Sequence, residues 1–193
     1  MISLLLLTAF ATIPPDYEGP ITYEEVYEQA VLNCKNSKSE SIDLEIIDTL
    51  IEIEIRFGVP KALRGMTLAA ACMESGFNPN AKGDRKFSKD KKTPKALGLF
   101  QQWKIYEKMY PGMDRADPRS SAATWMHHIV KQIPKIKKRC GYKTDERIWI
   151  AAWVTGIRYR KPGGRCKERP KHLRLLRKWH KQIKKNRKSV VGC

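Results

Sequence analysis

An all-α chain is what this sequence predicts, and three observations predict it. Apolar residues recur at helical spacing through most of its length, helix-starting and helix-stopping residues bracket those runs, and no stretch alternates in the way a strand of any length would. One small hairpin is allowed for, in the 82–96 loop. At 193 residues the chain suits a single domain with a respectable core.

The elements follow in order. Thr22 with Glu25 forms a capping box that opens a helix to about Cys34. Asn36 to Ser41 reads as polar linker. Ser41 is then expected to cap a second helix, whose apolar stripe runs through Ile42, Ile46, Ile47, Leu50, Ile51 and Ile55. Gly58 closes that helix, because glycine enters the left-handed conformation freely. Pro60 suits the first position of a third helix ending near Met73-Glu74. Residues 78–96 have no period and read as a long loop. Asp117-Pro118 starts a helix carrying Ala122, Trp125, Met126, Ile129 and Val130, which Pro134 should end or kink. Thr144-Asp145-Glu146 opens another, with acids at the positive end of its dipole, running to Gly156. Pro170 starts the last, where Leu173, Leu176, Trp179 and Ile183 make one apolar stripe on a basic surface.

The charge is uneven. The chain carries a net +18; residues 131–193 hold 22 Lys and Arg against three acids, and the other 130 residues hold 16 basic against 17 acidic groups. The field of the C-terminal third attracts polyanions, whether nucleic acid, acidic lipid or an anionic wall. Near the N-terminus the apolar run Leu4–Ala11 ends in Ala9-Phe10-Ala11, a small-x-small pattern that suits a cleaved export signal at 1–11, although the segment before it has no Lys or Arg. A short buried apolar terminus is the alternative. The run is too short to span a membrane, which takes roughly 20 apolar residues. Five cysteines (Cys34, Cys72, Cys140, Cys166, Cys193) form no C-x-x-C pair, so no metal is expected. Cys72 is read as a small buried thiol, and Cys140 with Cys166 as a candidate staple across one helix. His127-His128 lacks zinc-ligand spacing and reads as packing and surface.

Glu74 is the candidate for chemistry. It stands where a strongly apolar helix gives way to Ser75-Gly76, beside apolar side chains and at the negative end of the helix dipole. Both influences are expected to raise its pKa, as a general acid for glycoside cleavage requires. An exposed glutamate at a helix end is the plainer reading of the same residue.

The run Glu74-Ser75-Gly76-Phe77-Asn78-Pro79-Asn80-Ala81, followed by Gly98-Leu99-Phe100-Gln101, resembles the catalytic segment of SLT-type lytic transglycosylases and their goose-type lysozyme relatives. The likeness extends over roughly residues 45–157. It implies a lysozyme-like helical domain (41–157), preceded by an N-terminal helix and linker (12–40) and followed by a basic helix packed on it (158–193). The implied reaction cuts the MurNAc–GlcNAc β-1,4 bond of peptidoglycan with one glutamate, without cofactor. Glu74 protonates the leaving oxygen, then takes the proton of the muramyl 6-hydroxyl to leave a 1,6-anhydro end. No carboxylate nucleophile is needed, since the substrate's acetamido group can stabilise the sugar cation. The resemblance also implies substrate-side roles for Ser75, Gly98 and Gln101, and cleft-wall or core roles for Phe77, Phe100 and Trp103.

Two positions depart from the family pattern. Gly83 stands where a serine is usual, followed by Asp84, either a turn residue or a second carboxylate able to activate water for hydrolysis, as in goose-type lysozymes. The third motif, usually Ala-Tyr-Asn-x-Gly, reads Ala152-Trp153-Val154-Thr155-Gly156, so an indole replaces the hydroxyl that would touch the glutamate; Tyr142 or Tyr159 could substitute. A non-catalytic wall-binding protein of the same fold is therefore the competing expectation. The expected partners are glycan strands and, through residues 131–193, anionic envelope polymers. Nucleic acid is the third reading of the basic tail and is not expected, and the chain is expected to be an exported monomer acting on the envelope, bacterial or phage-encoded.

Overall fold

The computed structural model describes residues 19–34, 42–155 and 171–191. Among them lie seven α-helices and one small sheet. Helix α1 (Tyr23–Asn33) starts at the capping box read from the sequence: Thr22 N–H donates to Glu25 at 2.8 Å and Glu25 N–H to the Thr22 hydroxyl at 3.3 Å. Helix α2 (Leu44–Arg56) begins later than expected, capped by Asp43, whose carboxylate accepts from Glu45 N–H at 3.0 Å; Ser41 lies outside the described residues. Its core face is Ile46, Ile47, Leu50 and Ile53, while Ile55 is 60% exposed, so the buried stripe turns one residue from the one expected.

The third expected helix is two pieces. Pro60 precedes a single 3-10 turn (Lys61–Leu63), and α3 (Met66–Ser75) starts only after Gly65 at φ +87°. A Cβ on Gly65 would overlap Val26 of α1. The left-handed turn and the close approach thus both require glycine there. Every residue from Met66 to Cys72 is buried, as in a helix enclosed on all sides; α1, α2 and α7 pack around it. Gly76 (φ +63°) caps its end, donating to the carbonyls of Ala71 and Cys72.

The 78–103 segment holds the expected hairpin plus one more strand. Strands β1 (Lys82–Gly83), β2 (Ala96–Leu97) and β3 (Gln102–Trp103) form an antiparallel sheet in that order, with Gly83 opposite Ala96 and Leu97 opposite Gln102. A short helix α4 (Ile105–Met109) that the sequence reading did not anticipate follows. Helix α5 (Pro118–Cys140) is capped by Asp117, which accepts from Ser120 N–H at 2.6 Å. It runs through Pro134 rather than ending there. Burial of Ile129 and Ile136 on either side carries the helix across the missing hydrogen bond. Helix α6 (Asp145–Thr155) packs on α5, and α7 (Lys171–Val191) on α1 and α3. The predicted stripe of α7 is buried as read: Leu173, Leu176, Trp179 and Ile183 are each 3% exposed or less.

Cys72 is not a free thiol. It is bonded to Cys34, tying the end of α1 to the middle of α3 across 38 residues. Cys140 is disulfide-bonded too; the expected pairing with Cys166 reaches outside the described residues, as do the 1–11 segment, Gly156, Tyr159 and Pro170. Among the described residues no helix is long and apolar enough to cross a membrane.

Candidate functional site

Glu74 occupies the last turn of α3, its side chain 22% exposed. Two groups from the start of α7 meet it. His172 Nε2 and Lys171 Nζ both lie 2.7 Å from the same carboxylate oxygen, Oε1. No described residue donates to Oε2. The expected rise in pKa is therefore overturned. Burial does push the carboxyl up, but the hydrogen bonds from His172 and Lys171, with the charge of the lysine, outweigh it and hold Glu74 below the usual carboxylate range.

His172 is 13% exposed and stacks on Trp153 of α6, ring centroids 5.8 Å apart and planes 10° off parallel. Trp153 meets Trp125 of α5 edge-on at 6.1 Å, and Trp125 stacks on Phe100 at 4.6 Å. An aromatic column thus runs from the Gly-Leu-Phe-Gln turn to the imidazole on Glu74. Neither Trp153 Nε1 nor His172 Nδ1, both buried, has a hydrogen-bond partner among the described residues. Trp153 is thus linked to Glu74 through the His172 ring.

Gln101 and Gly98 act on the chain itself. Gln101, in the left-handed region at φ +48°, donates from Nε2 to the carbonyls of Ala81 and Gly98, both at 3.0 Å. Its Oε1 fills the space a Cβ on Gly83 would take, so the departure from serine at position 83 matches this glutamine's pose. Gly98 (φ +79°) admits the backbone carbonyl of Arg115, which any Cβ would overlap; the close approach expected of a substrate is made by the protein. Both amide hydrogens of Gln101 are thus already committed, and its place is that of a clamp on the turn. Ser75 likewise turns inward: its hydroxyl donates to Ala71 O of its own helix at 3.0 Å, not to Glu74.

Asp84 is a turn residue with a partner. At φ +55° it precedes a 3-10 turn (Arg85–Phe87), and its carboxylate accepts the Trp103 indole N–H at 2.8 Å. Trp103 is 40% and Phe87 56% exposed, with ring centroids 5.7 Å apart. These rings form an open aromatic surface on the sheet, whereas Phe77 and Phe100 are core. His128 is buried beside Tyr106 and 2.9 Å from the Tyr110 hydroxyl. A shallow pocket of about 480 Å³ lies between Phe57, Tyr110, Met113, Thr124 and His127, none of them a neighbour of Glu74. Among the described residues no group of three His, Cys, Asp or Glu is placed to hold a metal ion.

Lys171 and His172 are what the sequence reading missed, since they lie almost a hundred residues from Glu74. One signal was present. Residues 172, 176, 179 and 183 recur at helical spacing, which puts the histidine on the buried face of an otherwise basic helix. No family model, curated protein or solved structure matches the chain.

Proposed function

We propose that the chain is a peptidoglycan lytic transglycosylase of lysozyme-like fold that cleaves the MurNAc–GlcNAc β-1,4 bond with Glu74 as its one catalytic carboxyl. The observation that carries this reading is the one-sided pairing of Glu74. It is a largely covered carboxyl at the end of a buried helix, held at Oε1 and with no described residue at Oε2. Together with the Glu-Ser and Gly-Leu-Phe-Gln motifs, that is the equipment single-glutamate cleavage needs. A proton on Oε2 passes to the leaving glycosidic oxygen as the bond to C1 breaks. The carboxylate then takes the proton of the 6-hydroxyl, whose oxygen closes on C1. No water enters. The exposed rings of Trp103 and Phe87 suit stacking on sugar faces.

The hydrolytic alternative needs a free second carboxylate. Asp84 is the candidate, and its carboxylate is engaged by the Trp103 indole rather than free. A second reading, a non-catalytic wall-binding protein, is favoured by a single fact: Glu74 is held ionised, whereas a general acid must carry a proton. The basic helix supports wall attachment on either reading. Arg174, Arg177, Lys178, Lys181, Lys184, Lys185 and Lys188 are all exposed. At helical spacing they form one stripe about 120° wide and about 21 Å long, opposite the buried apolar face. Such a stripe suits a linear polyanion, and the attraction should weaken with salt.

Digestion of purified sacculi, with product masses measured, tests the reaction. Fragments one water lighter than hydrolysis products support the transglycosylase; reducing ends throughout would make it a lysozyme, and no cleavage would favour the binding protein.

A further inference from the structure

His172 and Lys171 meet one oxygen of Glu74 in different settings. The imidazole is largely buried, held between the carboxylate and the Trp153 ring. The ammonium is 56% exposed. On the imidazole, Nδ1 is buried with no acceptor among the described residues. The tautomer that fits is the one with its hydrogen on Nε2, because a bare lone pair at Nδ1 is less costly to bury than an orphaned N–H. His172 Nε2–H therefore donates to Oε1. A carboxylic acid whose carbonyl oxygen accepts a hydrogen bond carries its proton on the other oxygen, here Oε2, the one no described residue occupies. The donor thus remains satisfied whether Glu74 is ionised or protonated. Lys171 behaves otherwise, since its charge favours only the carboxylate.

No other charged group on the elements packed against α3 rivals these two. Glu54 of α2 and Tyr23 of α1 meet at the opposite end of the helix, about 13 Å away along its axis, and Trp153 of α6 brings no charge.

We propose that His172 is a positioning residue that directs the acid proton of Glu74 to Oε2, and that Lys171 is a displaceable counter-ion that holds the same carboxyl idle until an acidic group of the bound polymer draws it away. The proposal rests on the glycan-cleaving reading and supplies what that reading lacked, a group in place of the missing family hydroxyl. It also removes the conflict between an ionised Glu74 and its role as an acid. The ion pair is a resting state, and its exposed half leaves when an anionic strand arrives.

The test combines carboxyl titration with cleavage. Glu74 is followed by carbon NMR in the full-length wild type, K171M, H172F and H172Q, and each is assayed on sacculi across pH. K171M should titrate at higher pH than wild type, and the alkaline limb of its rate profile should move the same way, because the acid stays protonated longer. H172F keeps a ring on Trp153 but donates nothing, and its maximal rate should fall about 100-fold. H172Q, which can donate from nearly the same place, should recover most of that loss. An unmoved Glu74 titration in K171M, or H172F as fast as wild type, overturns the proposal. If wild type cleaves nothing, the glycan-cleaving reading fails instead, and the titration still decides whether Lys171 governs Glu74.

Discussion

The two ends of α3 each carry a glutamate, and the pair shows how little burial alone decides. At the start of the helix, Glu54 of α2 is fully buried. It accepts from Gly65 N–H at 2.8 Å, from Thr67 N–H and the Thr67 hydroxyl at 2.6 Å each, and from the Tyr23 side chain. Burial prevails over four hydrogen bonds and pushes its pKa up to about 7. At the other end Glu74 keeps access to solvent and meets two cation-capable groups, and its pKa falls. Glu54 is a cap for the helix amides, replacing the side chain that Gly65 lacks. Glu74 is paired with two side chains of α7. One carboxyl caps the helix and the other is the proposed acid, although both stand against the same helix.

Substitution should separate them most sharply. E54A strips several buried donors of their acceptor at once and should destabilise the fold by about 3 kcal/mol or more, read by urea or thermal unfolding. E74A should cost far less stability and all of the cleavage. Equal stability losses would break the distinction. Reducing the Cys34–Cys72 bond releases a 38-residue loop anchored in the middle of α3, worth about 4 kcal/mol on the chain-entropy account. A denaturant midpoint that does not move on reduction would show that packing alone holds α1 to α3. The G98A variant must displace the Arg115 carbonyl and strain a left-handed residue. It should destabilise the fold by about 2–4 kcal/mol, seen as a lower melting temperature.

The smallest effects concern pH, and their signs oppose. The folded pKa of Glu54 lies above its unfolded value near 4.5, so its contribution is complete below that value and is lost as pH rises towards 7. The folded pKa of Glu74 is depressed, so its contribution is present above the unfolded value and is lost as pH falls through the folded one. Melting temperatures of E54Q should therefore flatten on the neutral side of the profile, and those of K171M on the acid side. A swapped pattern would mean the two carboxyls have been assigned the wrong environments.

Much of this was legible in the sequence where local chemistry decides. The Thr22–Glu25 box, Asp117-Pro118 and the Leu173 to Ile183 stripe each depend on neighbours within one or two turns, and each falls where read. Position along the chain was less legible wherever a tertiary contact overrode a local signal. Gly65 splits the third helix because Val26 needs its missing Cβ, and Pro134 sits inside α5 because apolar residues bury on both sides of it. The site shows the same division. Glu74 stands out in the sequence by its setting and motif, but the direction of its pKa does not follow from them, since the dipole and the apolar helix are local while Lys171 and His172 arrive from α7. Gln101, Gly98 and Ser75 stand out by motif, and their described contacts are to the protein's own backbone, which a motif does not distinguish from contacts to a ligand.

The most direct test of the account compares wild type with E74Q, which preserves size and folding while removing the acid. Purified sacculi should be cleared by wild type, releasing fragments with 1,6-anhydro ends. E74Q, with a melting temperature close to wild type, should slow that release by about 1,000-fold or more. Clearing by E74Q at the wild-type rate would contradict Glu74 as the catalytic group, and with it the reading of α3 as the helix that carries the chemistry.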